Sequence, residues 1–240
     1  MYPHRAGLGL RSVLTTEPTP TDARTDDGAT QTDVAPGLLA ALPAAAATVR
    51  RAAFARLLQH DMAGGAALAA DTGLSAETVR DAVALLERTG TATVDREGRV
   101  VGVGGLSLVP TAHQLLLDGQ TFWTWCAFDA VGIPAALGID AVARSRCGHC
   151  GDRLDVTLTA GRPPADSPVV GWLPGHACTN VQVDFCPAAN LFCDHTHLFA
   201  WRDQAGNPLG GPATLPTLAT LGAQVWAEMA PPAASGSGQH

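Results

Sequence analysis

The sequence predicts an α+β protein, and three observations lead there. Residues 48–108 place apolar side chains at helical spacing before turning to strict alternation around a glycine; residues 109–230 read as short strands separated by Gly- and Pro-rich loops. The chain of 240 residues is 46% hydrophobic, which is ample for a buried core. No apolar run reaches the roughly 18 residues of a membrane span, since the alanine-rich stretch 38–49 is interrupted by Pro43.

Taken in order, residues 1–45 are expected to form a disordered leader. Their segment TTEPTPTDARTDDGATQTDVAPG, 15–37, has almost no large apolar residue with which to offset the entropy of ordering. The first residues, MYPHRAGLGLRSVL, lack the continuous apolar stretch and small-residue site of a secretory signal. Residues 46–108 read as a small helical domain. Ala53, Phe54, Leu57 and Leu58 keep helical spacing, and Gly64-Gly65 breaks the pattern before Ala67, Leu68 and Ala69. Ser75 fits an N-cap with Thr78 three residues on, and a helix bearing Val79, Val83 and Leu86 follows as far as Gly90. TATVDREGRVVGV then alternates around a glycine turn as a hairpin does. Helix, turn, helix and β-wing together are winged-helix-like.

The core, 109–230, is expected to be a mixed or antiparallel β-sheet with flanking helices. We place a helix at 123–130, strands at 140–146, 154–159, 169–172, 180–185 and 195–201, and a closing helix at 215–229. The last residues, PPAASGSGQH, 231–240, should form a flexible tail.

Charge narrows the partners. The formal net charge is −7, and every basic residue is an arginine. Within 50–108 seven arginines face seven acids, so the winged-helix-like segment has no net positive charge with which to neutralise phosphates. Neither nucleic acid nor an anionic membrane is an expected partner, and a packing role suits this segment better than DNA binding. Cytoplasm is the default location, and its reducing conditions give the six cysteines a reason other than disulfides.

All six cysteines fall between residues 126 and 193. Cys147-Gly-His-Cys150 is a CxxC knuckle, a turn that commonly supplies half of a tetrahedral zinc site. With Cys186 or Cys193 and His195 or His197 a four-ligand set can be written, so structural thiols and a zinc site both remain open. His195 and His197 alternate on an expected strand, face one side, and suit a supporting role better than ligation. Cys178 and Cys186 carry no spacing signal and are expected to be spectators.

Cys126 and Asp129 lie three apart in an expected helix, which puts them on one face within reach of each other. They belong to the run Trp125-Cys126-Ala127-Phe128-Asp129, followed by Pro134-Ala135-Ala136-Leu137-Gly138; downstream stands Phe192-Cys193-Asp194-His195-Thr196-His197-Leu198-Phe199. Both segments resemble the organomercurial (alkylmercury) lyases, whose Trp-Cys-Ala-x-Asp and Phe-Cys-x-His-x-His-x-Phe segments they match in order. The resemblance covers about 50–202. One departure is Asp194, where some members carry a further cysteine.

The resemblance implies an enzyme that cleaves a carbon–mercury bond by protonation, giving a hydrocarbon and Hg(II) with no organic cofactor. Cys126 and Cys193 become the mercury ligands and Asp129 the proton carrier and a further candidate ligand, while a cysteine at the place of Cys147 is structural. Mercuric reductase or a small thiol would receive the Hg(II). The chemistry suits these residues: thiolate is the softest ligand a protein offers to a soft metal, and a carboxyl beside a thiol can take its proton and return it to carbon. The alternative reading is a winged-helix metal-sensing regulator that binds zinc or mercury through its cysteines. Asp129 at helical spacing from Cys126 is a group that such a sensor does not need.

Overall fold

Residues 42–229 are described by the computed structural model. The expected tail lies outside them, as does the expected leader except for its last four residues. There Pro43 precedes α1, Ala44–Leu57, so the last two residues of the expected leader are helical. α1 buries Ala46, Val49, Ala53, Phe54 and Leu57, which recur at three- and four-residue steps along one stripe. The Gly64-Gly65 break starts α2, Gly65–Thr72, which stops where Gly73 turns left-handed at φ 69°. α3, Ala76–Arg88, opens as expected: the Ser75 hydroxyl accepts the Thr78 N–H at 3.1 Å.

The hairpin β1, Ala92–Val94, and β2, Val100–Val103, does not stand apart as a wing. It continues into β3, Leu106–Ser107, through Gly104 and Gly105 at φ 55° and 87°, a two-residue turn with both centres left-handed. β4, His113–Leu117, and β5, Gln120–Thr124, join through Asp118-Gly119 in the same way. After α4, Ala127–Leu137, β6, Ala141–Arg146, and β7, Arg153–Leu158, complete a seven-stranded antiparallel sheet in the order β1-β2-β3-β5-β4-β6-β7.

A second sheet is built from β8, Val170–Pro174, β9, Leu191–Phe192, and β10, Gly210–Thr214, in the order β10-β8-β9. α5, His195–Gln204, and α6, Leu215–Val225, complete the chain with a 3₁₀ turn at Ala227–Met229. One continuous set of buried side chains runs from Ala46 through Phe122 and Phe128 to Met229.

The α+β class and antiparallel sheet stand, and strands appear near 140–146, 154–159 and 169–172, with the closing helix at 215–225. Three elements differ. Residues 120–124 are a strand, so the helix expected at 123–130 starts only at Ala127. The run 180–185, a strand by its alternation, is a π-helical turn, Val181–Phe185. Local hydrogen bonds win there: the Asp184 carboxylate accepts the N–H groups of Thr179 and Asn180, and the Asn180 side chain accepts that of Val183. The run 195–201 is α5, capped by the Asp194 carboxylate on the His197 N–H at 3.0 Å. On a helix His195 and His197 no longer share a face.

α4 lies at the centre, with every residue from Ala127 to Pro134 buried. Such a helix needs close neighbours, and α6 comes close enough that a Cβ on Gly222 would sit 2.1 Å from the Gly132 Cα. Gly222→Ala must therefore push the helices apart. We expect a loss of about 1–3 kcal/mol in denaturant-induced unfolding, the usual cost of overpacking. Gly65→Ala, where an added Cβ meets nothing within 4 Å, should instead be neutral or gain up to about 1 kcal/mol. Equal effects at the two positions would show that the Gly132–Gly222 contact does not set the spacing.

Candidate functional site

The N-terminus of α4 emerges from the end of β5, and the two residues of interest sit on that joint. Cys126 is the N-cap and Asp129 the third helical residue. They form a capping box: the Asp129 carboxylate accepts the Cys126 N–H at 3.0 Å, and the Cys126 sulfur accepts the Asp129 N–H. The pair is thus held together by a cap rather than by the face of a helix. The Cys126 carbonyl accepts the Thr124 hydroxyl at 3.0 Å, and the next amide, Ala127 N–H, donates to Ala189 at 3.1 Å. Room for the carboxylate comes from Gly105, where a Cβ would lie 2.6 Å from the Asp129 carboxyl carbon.

The third member is Cys186. Its sulfur, that of Cys126 and an Asp129 oxygen lie within 4.8 Å of one another, and all three residues are buried. Cys186 immediately follows the π-helical turn, which is pinned to the end of α3 and the start of β1. Val181 N–H donates to the Thr89 carbonyl, the Asn180 side-chain amide to Arg88, and that of Gln182 to Gly90. Phe185 packs edge-on against Phe128 of α4, with ring centres 5.8 Å apart, which draws the two cysteine-bearing segments together.

Burial sets the electrostatics. It pushes Asp129 up to about 7, against the opposing hydrogen bonds from Cys126. Burial, the contact with Cys186 and the nearby Asp129 charge push the Cys126 thiol well above its ordinary range. A carboxyl poised near neutrality beside a reluctant thiol is a proton acceptor and donor in one place.

Cys193, expected to pair with Cys126, is not brought into this cluster. Its sulfur is grouped instead with Cys147, Cys150 and the His197 ring, again with all donor atoms within 4.8 Å. Cys186 escaped the sequence because two Phe-Cys pairs, Phe185-Cys186 and Phe192-Cys193, lie seven residues apart, and the histidines follow the second. The usable signal was that first Phe-Cys pair. In the second cluster, burial pushes the Cys147 thiol up, but hydrogen bonds from the backbone of Cys150, His149 and Cys193 and from the His197 ring outweigh it and bring it to about 6. Cys178 belongs to neither group.

The chain was compared with known proteins. The family model for alkylmercury lyase matches residues 106–227. Among relatives, the alkylmercury lyase of Staphylococcus epidermidis is 31% identical over 135 residues, 55% of this chain and 58% of its own length. That of Bacillus cereus is 29% identical over 159 residues, 63% of this chain and 71% of its own. That of Streptomyces lividans is 32% identical over 57% of this chain and 60% of its own. The chain thus spans little more than half the length of some relatives. Among solved structures, the mercury-bound form of MerB2 superposes with a TM-score of 0.73 at 25% identity, covering 80% of this chain and 94% of that one. The match of the family model over half the chain, with the fold of a MerB2 around a buried thiol–carboxylate–thiol cluster, shows that the chain belongs to the alkylmercury lyase family.

Proposed function

We propose that the chain is an organomercurial lyase and that Cys126, Asp129 and Cys186 are its reacting groups. The observation that carries this reading is the cluster itself: two thiols and a carboxyl, all buried, within 4.8 Å. A soft R–Hg⁺ exchanges its solvent thiolate for Cys126 and then Cys186. As the thiols bind, one proton passes to Asp129 and the other to solvent. The carbon–mercury bond breaks with its electron pair on carbon, carbon takes the proton from Asp129, and Hg(II) remains on two sulfurs. Atoms and charge balance as R–Hg⁺ plus two thiols giving R–H, a mercury dithiolate and one H⁺. No organic cofactor has a part in this sequence.

The same reading makes residues 46–108 a winged-helix-like packing module rather than a DNA reader. Its contacts to 180–182 support that role, and its balanced charge offers phosphates nothing. Hg(II) leaves for a thiol acceptor, either mercuric reductase or a small thiol in the cytoplasm. No helix among the described residues is long and apolar enough to cross a membrane. Family membership disfavours the regulator reading.

The direct test incubates reduced protein with methylmercury and excess thiol and looks for methane in the headspace; none would sink the lyase reading. Cys126→Ser and Cys186→Ser should each remove turnover, whereas Cys178→Ser should stay active. Near wild-type methane release from Cys186→Ser would remove Cys186 from the mechanism.

Asp129→Asn keeps the size of the side chain and an oxygen for the Cys126 N–H. It should still retain mercury after desalting but release hydrocarbon about 10² to 10⁴-fold more slowly. Because Asp129 stands near 7 in the free protein, the form that can accept a thiol proton grows as pH rises through that value, and the wild-type kcat/KM should rise with it. The Asn variant should lack this rising limb. A limb of equal height in both proteins would assign the proton to another group.

A further inference from the structure

The second cluster is unused by this chemistry, and its geometry is that of a closed metal site. We propose that Cys147, Cys150, Cys193 and His197 bind one structural zinc ion. Zinc–sulfur bonds of about 2.3 Å and zinc–nitrogen bonds of about 2.0–2.1 Å, arranged tetrahedrally, put sulfurs about 3.8 Å apart and a sulfur about 3.6 Å from a ring nitrogen. The Cys150 and Cys193 sulfurs are 3.7 Å apart, and the Cys147 sulfur is 3.6 Å from His197 Nδ1. A two-coordinate ion held linearly needs its sulfurs a full two bonds apart, so the tetrahedral set fits the cluster better than a mercury dithiolate does.

The backbone on both sides is already in place. Cys147 ends the β6 side of a knuckle in which the Gly151 N–H returns to the Cys147 carbonyl at 2.9 Å, with Gly151 left-handed at φ 77°. The Cys147 N–H donates to the Asp152 carbonyl at 2.8 Å. Gly148 donates to the Leu191 carbonyl at 2.9 Å, and a Cβ there would strike the Phe192 ring at 2.9 Å, so the knuckle lies flat against β9. On the other side, Cys193 directly follows β9 and the Asp194 cap fixes the first turn of α5, which carries His197. Four protein ligands leave no open position, so the ion's role is structural: it ties the β6–β7 turn of one sheet to β9 and α5 beside the other.

The test is metal content, not activity, so it stands apart from the mercury chemistry. The full chain, purified with reductant and no chelator and then dialysed exhaustively, should hold one equivalent of zinc per chain by mass spectrometry. Cys150→Ser should lower that content at least about tenfold, and Cys126→Ser and Cys178→Ser should keep it. Cobalt(II) introduced into the wild-type protein should give thiolate charge-transfer absorption in the near ultraviolet and the strong red bands of tetrahedral cobalt. The cobalt spectrum decides the matter even if the Cys150 variant fails to fold. Wild-type protein with fully reduced thiols that holds no zinc, or that gives the weak spectrum of octahedral cobalt, overturns the proposal. Zinc retained in Cys150→Ser overturns the ligand set.

Discussion

A carboxyl group kept out of water at the first turn of α4 is the constraint around which the rest of the molecule is arranged. Asp129 can be buried because the Cys126 N–H donates to it and because Gly105 leaves space that any side chain would fill. Its elevated proton affinity also has a thermodynamic side. The folded chain holds this proton up to about pH 7, whereas an unfolded carboxyl releases it near 4, so the group stabilises the fold least at and above neutrality. The difference is at most about 4 kcal/mol at about 1.4 kcal/mol for each pH unit. That is a large share of the stability of an ordinary domain, given up at the pH at which a proton carrier is of use.

The surroundings are rigid in the way such a group requires. α4 is apolar apart from Asp129, α6 meets it glycine to glycine, and Phe128 touches both Phe185 and Trp226. The Trp226 indole N–H in turn donates to Gly104, next to the glycine that makes room for Asp129. One short chain stretch then serves two clusters, since Cys186 follows the π-helical turn and Cys193 begins the approach to α5.

The local rules of the chain were legible wherever one physical signal dominated. Ser75 with Thr78 and the Gly64-Gly65 pair gave the start of α3 and the α1–α2 break. Legibility failed where two signals competed. The Asp118-Gly119 turn followed by alternating Gln-Thr-Phe-Trp-Thr marks a hairpin, so the helix expected at 123–130 begins too early. In 180–185 the side chains alternate in polarity, and in 195–201 the two histidines stand two apart, but Asn180, Asp184 and Asp194 satisfy backbone N–H groups locally and curl the chain instead. For the site, Cys126 and Asp129 could be paired from sequence because three residues separate them. Cys186 could not be chosen over Cys193, because only the folded path of the π-helical turn tells the two Phe-Cys pairs apart.

That turn leans on residues far away in sequence. Its hydrogen bonds run to the carbonyls of Arg88, Thr89 and Gly90, and a Cβ on Gly90 would collide with the Asn180 side chain at 2.1 Å. The match of the family model begins only at residue 106. The smallest excisable unit that keeps both sulfurs in register is therefore longer than the segment by which the family is recognised. A fragment cut at that border would retain Cys126, Asp129 and Cys186 as letters while losing the splint that holds the third of them in place.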